Sequence, residues 1–205
     1  MALETIVLVL ALAAAAATRP WRVLAGGAPP WPWLAWWAVL PLLWCADTLV
    51  HMPIAQPLSG ACLLMLMAGW PLAMLALVPV ALIAAGLGDL APAEALHRMV
   101  WLGIVPATLA LGLGAAIRRW LPHHLFVYIL GRGFFASLLA LAISGWLALA
   151  WHGSPAGTLV ADLAVGRWLA AWGDAFLTGM MVAIFVALRP EWLATYSDRL
   201  YLPRD

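Results

Sequence analysis

The sequence predicts an all-helical, polytopic integral membrane protein with about seven transmembrane helices. Of its 205 residues, 66% are hydrophobic and only 9% are charged, whereas a soluble domain usually carries about 25% charged residues. The apolar residues form long runs separated by loops rich in Gly and Pro. Because backbone polar groups find no water in lipid, such runs are expected to be helices.

The first two helices are predicted over residues 3–18 and 33–51. The first resembles a signal peptide, but it begins with Glu4 instead of a positive segment, so we expect a retained helix. The second contains Pro41, which lacks the amide hydrogen of a regular helix, so a kink is expected there.

Residues 57–87 form a single apolar run of 31 residues. One helix of that length would span about 46 Å, which exceeds a hydrocarbon core of roughly 30 Å. Gly69-Trp70-Pro71 lies near its middle. We therefore predict a short broken-helix hairpin over 58–69 and 71–87, with one tilted, kinked helix as the alternative.

Three further helices are predicted over 94–117, 123–150 and 160–188. For the last of these, the alternative is that its first part, up to Gly166, forms a separate short helix. Residues 1–188 then form one transmembrane domain, and 189–205 form a polar cytoplasmic tail. With a break near Gly69, all the Arg residues that lie outside the helices fall on the same side of the membrane. This agrees with the tendency of positive residues to lie on the cytoplasmic side. These are Arg19, Arg22, Arg118, Arg119, Arg189, Arg199 and Arg204. The predicted location is a bacterial inner membrane, with the N-terminus outside and the C-terminus in the cytoplasm.

Placing an ionisable side chain at membrane depth costs free energy, so we expect each such residue to have a structural or functional role. Most are predicted in the outer half of the bundle, and Arg132 in the inner half. From the outer set we predict a cluster that either binds substrate or pairs internally: Asp47, His51, Arg98, Arg167 and Asp174. In the second interpretation, the Arg residues simply neutralise nearby Asp residues.

Metal ligands are a further hypothesis, because His51, His97 and His152 all fall on the predicted outer side. Imidazole with carboxylate suits nickel, cobalt or zinc, whereas Met52, Cys62 and Met65 would suit a softer ion. His51 and His97 are also a conceivable haem pair. The sequence contains no catalytic motif that we recognise, so no enzymatic activity is expected.

Several segments resemble the membrane permease of energy-coupling-factor cobalt and nickel transporters, closest to an uncharacterised bacterial branch of that family. The resemblance covers about residues 35–202, in matching order. Its segments are Pro53–Trp70, Gly88-Asp89, Gly103-Ile104-Val105-Pro106, Leu121–Tyr128, Gly173–Gly179, Arg189–Trp192 and Asp198–Leu202. The resemblance implies seven helices with an outside N-terminus.

The chain also departs from the pattern of that family. It begins Met1-Ala2-Leu3 where the transporters have Met-His, and Pro57 stands where they have a His. Arg98 and Trp101 replace two Asn residues, and Asp174 replaces a Glu. The resemblance thus carries over only Asp174 as a metal ligand, to be considered together with His51 and His97.

Three hypotheses follow from the sequence. The chain is a permease-like or substrate-binding subunit of a transition-metal uptake system, with the metal ion as substrate. Alternatively, it is a transport-inactive scaffold for a larger membrane complex, or a haem-binding electron carrier. Expected partners are the lipid bilayer, other membrane subunits or an ATPase module. The net charge of +1 gives no reason to expect nucleic acid.

Overall fold

The computed structural model describes residues 1–21, 31–51, 56–154, 157–197 and 201. These residues are largely helical and contain no strand, as predicted. The helices are α1 (Ala2–Ala17), α2 (Trp33–Trp44), α3 (Ala46–Val50), α4 (Ala61–Ala68), α5 (Trp70–Gly88), α6 (Pro92–Trp120), α7 (Val127–His152) and α8 (Val160–Leu188), followed by a 3₁₀ turn at Pro190–Trp192. Several predicted features lie outside the described residues: Arg22, Arg199, Arg204, Met52, Pro53 and the Gly- and Pro-rich stretch 26–30.

Within the described residues, four helices are long and apolar enough to cross a membrane, namely α5 to α8. Helices α1 and α2 are apolar but shorter. Large apolar side chains lie on the outside of the bundle, including Leu82, Phe176 and Leu188, which are 69%, 65% and 72% exposed. An outer surface of this kind fits contact with the hydrocarbon of a lipid bilayer.

The predicted break near Gly69 is confirmed. Gly69 lies between α4 and α5 with φ 82° and ψ 152°, a backbone region open essentially to glycine alone. Helix α4 has only eight residues, so it is about 12 Å long and covers less than half of a hydrocarbon core. Its residues from Ala61 to Met67 are all buried.

Helix α4 lies along the second half of α8. Its N-terminal end contacts Asp174, which is near the middle of α8. At its other end, the carbonyl of Leu66 accepts hydrogen bonds from the amide and hydroxyl of Thr195. Thr195 follows α8, so the described part of the predicted tail is docked: Leu193 and Tyr201 are only 2% and 3% exposed.

The extended chain before α4 has its backbone polar groups paired by side chains. The carbonyls of Ser59 and Gly60 accept from the indole N–H groups of Trp44 and Trp36, at 2.8 and 2.9 Å. Their amide nitrogens donate to Asp174 at 2.5 and 3.1 Å. These contacts satisfy the non-helical backbone of two buried residues.

Helix α6 contains a π-helical stretch at Met99–Ile104. Pro106 follows it and has no amide hydrogen, which leaves carbonyls of the preceding turn without a helical donor. The Ser59 hydroxyl donates to the carbonyl of Leu102 at 2.5 Å, and the Ser144 hydroxyl donates to that of Trp101 at 2.6 Å. The π stretch is therefore fastened to two neighbouring segments of the chain.

Two further predictions can be compared with the structure. The helix predicted over 33–51 is divided: α2 continues through Pro41 and ends at Trp44, with the interruption at Cys45 (φ −110°, ψ 15°). The Pro41 carbonyl still accepts the Cys45 amide at 3.2 Å, so the turn after the proline stays closed. Helix α8 covers Val160–Leu188, as predicted. It is continuous through Gly166, so the alternative of a separate short helix up to that residue is wrong.

Candidate metal-binding site

A buried carboxylate near the start of α1 meets two imidazoles from other helices. Glu4 is only 2% exposed. Its Oε1 lies 3.0 Å from Nδ1 of His97 and 3.2 Å from Nε2 of His152. Its Oε2 lies 2.9 Å from the α-amino group of Met1. We call Glu4, His97 and His152 the Glu4 cluster.

The cluster forms where three helices end together. His97 lies in the first turns of α6, immediately before Arg98 and the π stretch, and His152 is the last residue of α7. The two imidazole rings meet edge to face with centroids 4.7 Å apart. Trp101 donates its indole N–H to Glu4 Oε1 at 3.2 Å and packs edge-on against His152 at 5.9 Å. Glu4 is thus held by groups from two other helices.

The protonation of His152 is constrained by its second nitrogen. Nδ1 lies 3.1 Å from the backbone carbonyl of Ala148, and a carbonyl only accepts, so Nδ1 must carry hydrogen. In a neutral ring, Nε2 then carries no hydrogen, and its lone pair faces Oε1 of Glu4, which lies 3.2 Å away. Two lone pairs at this distance need either a proton, carried by Nε2 or by the carboxyl group, or a metal ion.

The donor atoms have suitable spacing for one ion. One ligand atom from each of the three residues lies within 4.8 Å of the others. Ligands at about 2.0–2.1 Å from a tetrahedral ion are about 3.3 Å apart, close to the observed 3.0 and 3.2 Å. The imidazoles are 27% and 34% exposed, and the cluster lines a surface cavity of about 420 Å³, so an ion can reach it.

A second polar group lies beside the cluster. Arg98 makes two 2.7 Å contacts with the Asp47 carboxylate, one from each terminal nitrogen, and its Nε donates to Glu94 at 2.8 Å. It also donates to the Trp44 carbonyl. This Arg98 network supports the internal-pairing interpretation for Asp47 and Arg98. A paired guanidinium of this kind is no obstacle to a cation bound elsewhere.

The predicted five-residue cluster is only partly brought together. Asp47, Arg98 and Arg167 line one cavity of about 160 Å³. Asp174 instead holds the backbone at the start of α4, and His51 lies exposed at the end of α3 with a left-handed φ of 54°. The structure groups His97 with Glu4 and His152, in place of the predicted set of His51, His97 and Asp174 and of the haem pair of His51 and His97.

The two soft-ligand residues that the structure describes are part of the packed interior. Cys62 and Met65 are 0% and 1% exposed, and the Cys62 thiol lies 3.8 Å from the Pro106 carbonyl. Glu4 was not predicted as a site residue. Its signal in the sequence is an acid inside an otherwise apolar helix, which requires a partner at membrane depth, but the sequence does not name that partner.

The fold and the site together fit an all-helical membrane protein with a carboxylate–imidazole cluster at one end of its bundle. In comparisons with protein-family models, curated proteins and solved structures, no match to this chain is found. The resemblance to the cobalt and nickel permeases therefore rests on the sequence segments alone.

Proposed function

We propose that this protein is a permease-like or substrate-binding membrane subunit of a transition-metal uptake system. In this proposal, the substrate ion binds at the Glu4 cluster. The observation that carries it is the convergence of Nδ1 of His97 and Nε2 of His152 on Glu4 Oε1, at 3.0 and 3.2 Å, since one metal ion could take all three atoms as ligands. The role is binding and transfer of an ion, and no catalytic step is involved.

The donor set narrows the class of ion. Two imidazole nitrogens and one carboxylate oxygen suit nickel, cobalt and zinc, whereas copper(I) prefers thiolate and thioether ligands. The carbonyl of Ala148 behind His152 and the indole of Trp101 beside Glu4 supply the outer contacts that orient metal ligands. Nickel-, cobalt- or zinc-type ions are therefore the proposed substrates.

The arrangement of arginines supports an outward-facing site. Glu4 and His97 lie near the N-terminal ends of α1 and α6, whereas Arg19, Arg118 and Arg119 lie at the C-terminal ends of the same helices. Positive residues favour the cytoplasmic side, so the opposite end, with the cluster, would face outside. This is the orientation of a protein that captures an ion before uptake through a bacterial inner membrane.

A seven-crossing topology follows if α1 and α2 each cross the bilayer and the segment 56–68 crosses as extended chain plus half-helix. Discontinuous helices of this kind are common at the binding sites of transporters. An energising partner, such as an ATPase module with other membrane subunits, would then contact the cytoplasmic end.

The proposal is tested by isothermal titration of nickel, cobalt and zinc into purified protein, with metal analysis for stoichiometry. We expect one ion per chain, with affinity weakened roughly 100-fold in His152→Gln and His97→Gln. His124→Gln is the matched control, because His124 is an exposed imidazole just before α7, at the opposite end of that helix from His152. The His124→Gln variant should bind the ion as tightly as the wild type does. Failure of all three ions to bind more tightly than about 1 mM would refute the proposal.

One observation favours the alternative of a transport-inactive scaffold. The N-terminal end of α4, where a half-helix in a transporter can hold a substrate anion, is occupied by the protein's own Asp174. Extraction from native membranes separates the two roles. A scaffold would be recovered with fixed partner subunits and without metal, whereas recovery only as a lone monomer argues against it.

A further inference from the structure

Charge is divided unevenly along the helices. The C-terminal ends of α1, α6 and α8, the sequence that follows each of them, and the first turns of α7 together contain eight of the ten arginines. These are Arg19, Arg22, Arg118, Arg119, Arg132, Arg189, Arg199 and Arg204. The same segments contain three of the nine acidic residues, namely Glu191, Asp198 and Asp205. They therefore carry an excess of five positive charges.

The connector between α6 and α7 holds two of these charges at its start. Arg118 and Arg119 lie in the last turn of α6 and are exposed. Within the described part of the chain, neither side chain makes a hydrogen bond or an ion pair. Residues 95–161 include no Asp or Glu, and Glu94 lies at the opposite end of α6. The two helices that the connector joins thus supply no acid that could neutralise these guanidinium groups.

Arg132 adds a third positive charge behind the connector. Its Nε lies 2.9 Å from the position that a Cβ on Gly114 would take, so this guanidinium packs against α6. Arg118 is one turn further along the same side of α6, because residues four apart are neighbours on a helix. Arg132 donates to the Thr195 carbonyl at 3.2 Å and is only 8% exposed. It therefore acts on a ligand of the connector through its charge and not through contact.

Exposed apolar side chains accompany the charges. Trp120, Leu121 and Phe126 are 78%, 48% and 64% exposed. Between them lies the exposed His124, whose Nδ1 accepts the amide of Phe126 at 3.2 Å, so a neutral ring carries its hydrogen on Nε2. Tryptophan and basic residues together are typical of the level where lipid headgroups meet the hydrocarbon.

We propose that this connector, residues 118–126, binds the headgroup phosphate of an anionic phospholipid. The guanidinium groups of Arg118 and Arg119 pair with the phosphate, and Trp120 and Phe126 pack against the first part of the acyl chains. Basic residues beside a membrane-spanning helix attract anionic lipids. A free phosphate ion would gain nothing from the exposed aromatic rings, so we assign the site to a lipid.

This lipid site is at the opposite end of α6 from the Glu4 cluster and needs no metal, so the two proposals are tested separately. The test is native mass spectrometry of the metal-free full chain in a neutral detergent, titrated with phosphatidylglycerol or with zwitterionic phosphatidylcholine of the same acyl chains. The wild type should bind phosphatidylglycerol about tenfold more tightly or better. Equal affinity for the two lipids would overturn the proposal.

The double variant Arg118→Gln/Arg119→Gln should bind the two lipids with affinities within about twofold, whereas Arg118→Lys/Arg119→Lys should keep most of the preference because it keeps both charges. Arg189→Gln is the matched control, since this exposed arginine beyond α8 pairs with Glu191, and its preference should stay within about twofold of the wild type. A preference that survives in the double Gln variant, or that falls equally in Arg189→Gln, would contradict a site at the connector.

A competition experiment on the wild type stays decisive even if a variant does not fold. Inorganic phosphate at the same concentration as phosphatidylglycerol should leave the lipid bound. Complete displacement of the lipid would assign the connector to the free ion and overturn the proposal.

Discussion

Oδ2 of Asp174 lies 2.5 Å from the backbone nitrogen of Ser59, 115 positions away in the chain. The same oxygen accepts the amide of Gly60 at 3.1 Å. The carboxylate thus caps the half-helix α4 with a negative charge at its N-terminal end, where the helix dipole favours an anion.

Asp174→Asn tests this contact, because the amide keeps the shape of the side chain and loses its charge. Hydrogen bonds to charged groups contribute about 1.5–3 kcal/mol, so we expect a loss of that size in the free energy of unfolding, measured in detergent. Asp162→Asn is the control, as Asp162 lies exposed in the first turn of α8. Its cost should not exceed about 1 kcal/mol, and equal losses in both variants would contradict the capping role.

Gly69→Ala tests the break between α4 and α5. An added Cβ would meet nothing within 4 Å, so the whole cost comes from the backbone conformation at φ 82°, about 1–3 kcal/mol. Gly86 is also open around its Cβ position but lies inside α5. Gly86→Ala should therefore stabilise the protein by up to about 1 kcal/mol. The same sign of change in both variants would argue against a glycine-dependent break.

Arg98→Met tests the Arg98 network. It leaves the Asp47 carboxylate without its partner, and breaking a buried pair in this way costs about 3–5 kcal/mol. Asp47 is 21% exposed, so the expected loss is at the lower end, about 3 kcal/mol. Glu94→Gln should cost far less, because Glu94 is 46% exposed and solvent weakens its pairing. The free energy of unfolding of both variants, measured with a chemical denaturant, should be lower for Arg98→Met than for Glu94→Gln.

Trp101→Phe tests the support of Glu4. The change keeps an aromatic ring against His152 but removes the indole N–H that donates to Glu4 Oε1. Metal affinity should fall roughly 10-fold, with a stability change near 1 kcal/mol. Trp120→Phe is the control, because Trp120 is exposed and lies at the opposite end of α6 from the cluster, so its replacement should leave the metal affinity unchanged. A metal affinity that falls no further in Trp101→Phe than in Trp120→Phe would contradict the assigned contact.

The helices could be predicted from the sequence because lipid leaves a backbone few alternatives. The break at Gly69 followed from the length of one apolar run and from Gly69-Trp70-Pro71 at its middle. Small residues differ in how closely other segments approach them. At Gly103 a Cβ would lie 2.9 Å from Trp44, whereas at Gly112 it would meet nothing within 4 Å.

The site could be predicted only in part, because the sequence gives depth along a helix but not which faces meet. Depth placed Asp47 and Arg98 in one group, and their side chains are in contact at 2.7 Å. It also grouped Asp174 with His51, although Asp174 is directed at α4. Glu4 was missed because its partners, His97 and His152, are 93 and 148 positions away and are joined to it only by the packing of α1, α6 and α7.

X-ray absorption at the zinc edge of the zinc-loaded protein tests the metal-binding claim most directly. We predict nitrogen and oxygen ligands at about 2.0–2.1 Å, with the multiple-scattering signature of two imidazoles, and loss of one imidazole in His152→Gln. A sulfur shell at about 2.3 Å, or a spectrum without imidazole, would contradict binding at Glu4, His97 and His152.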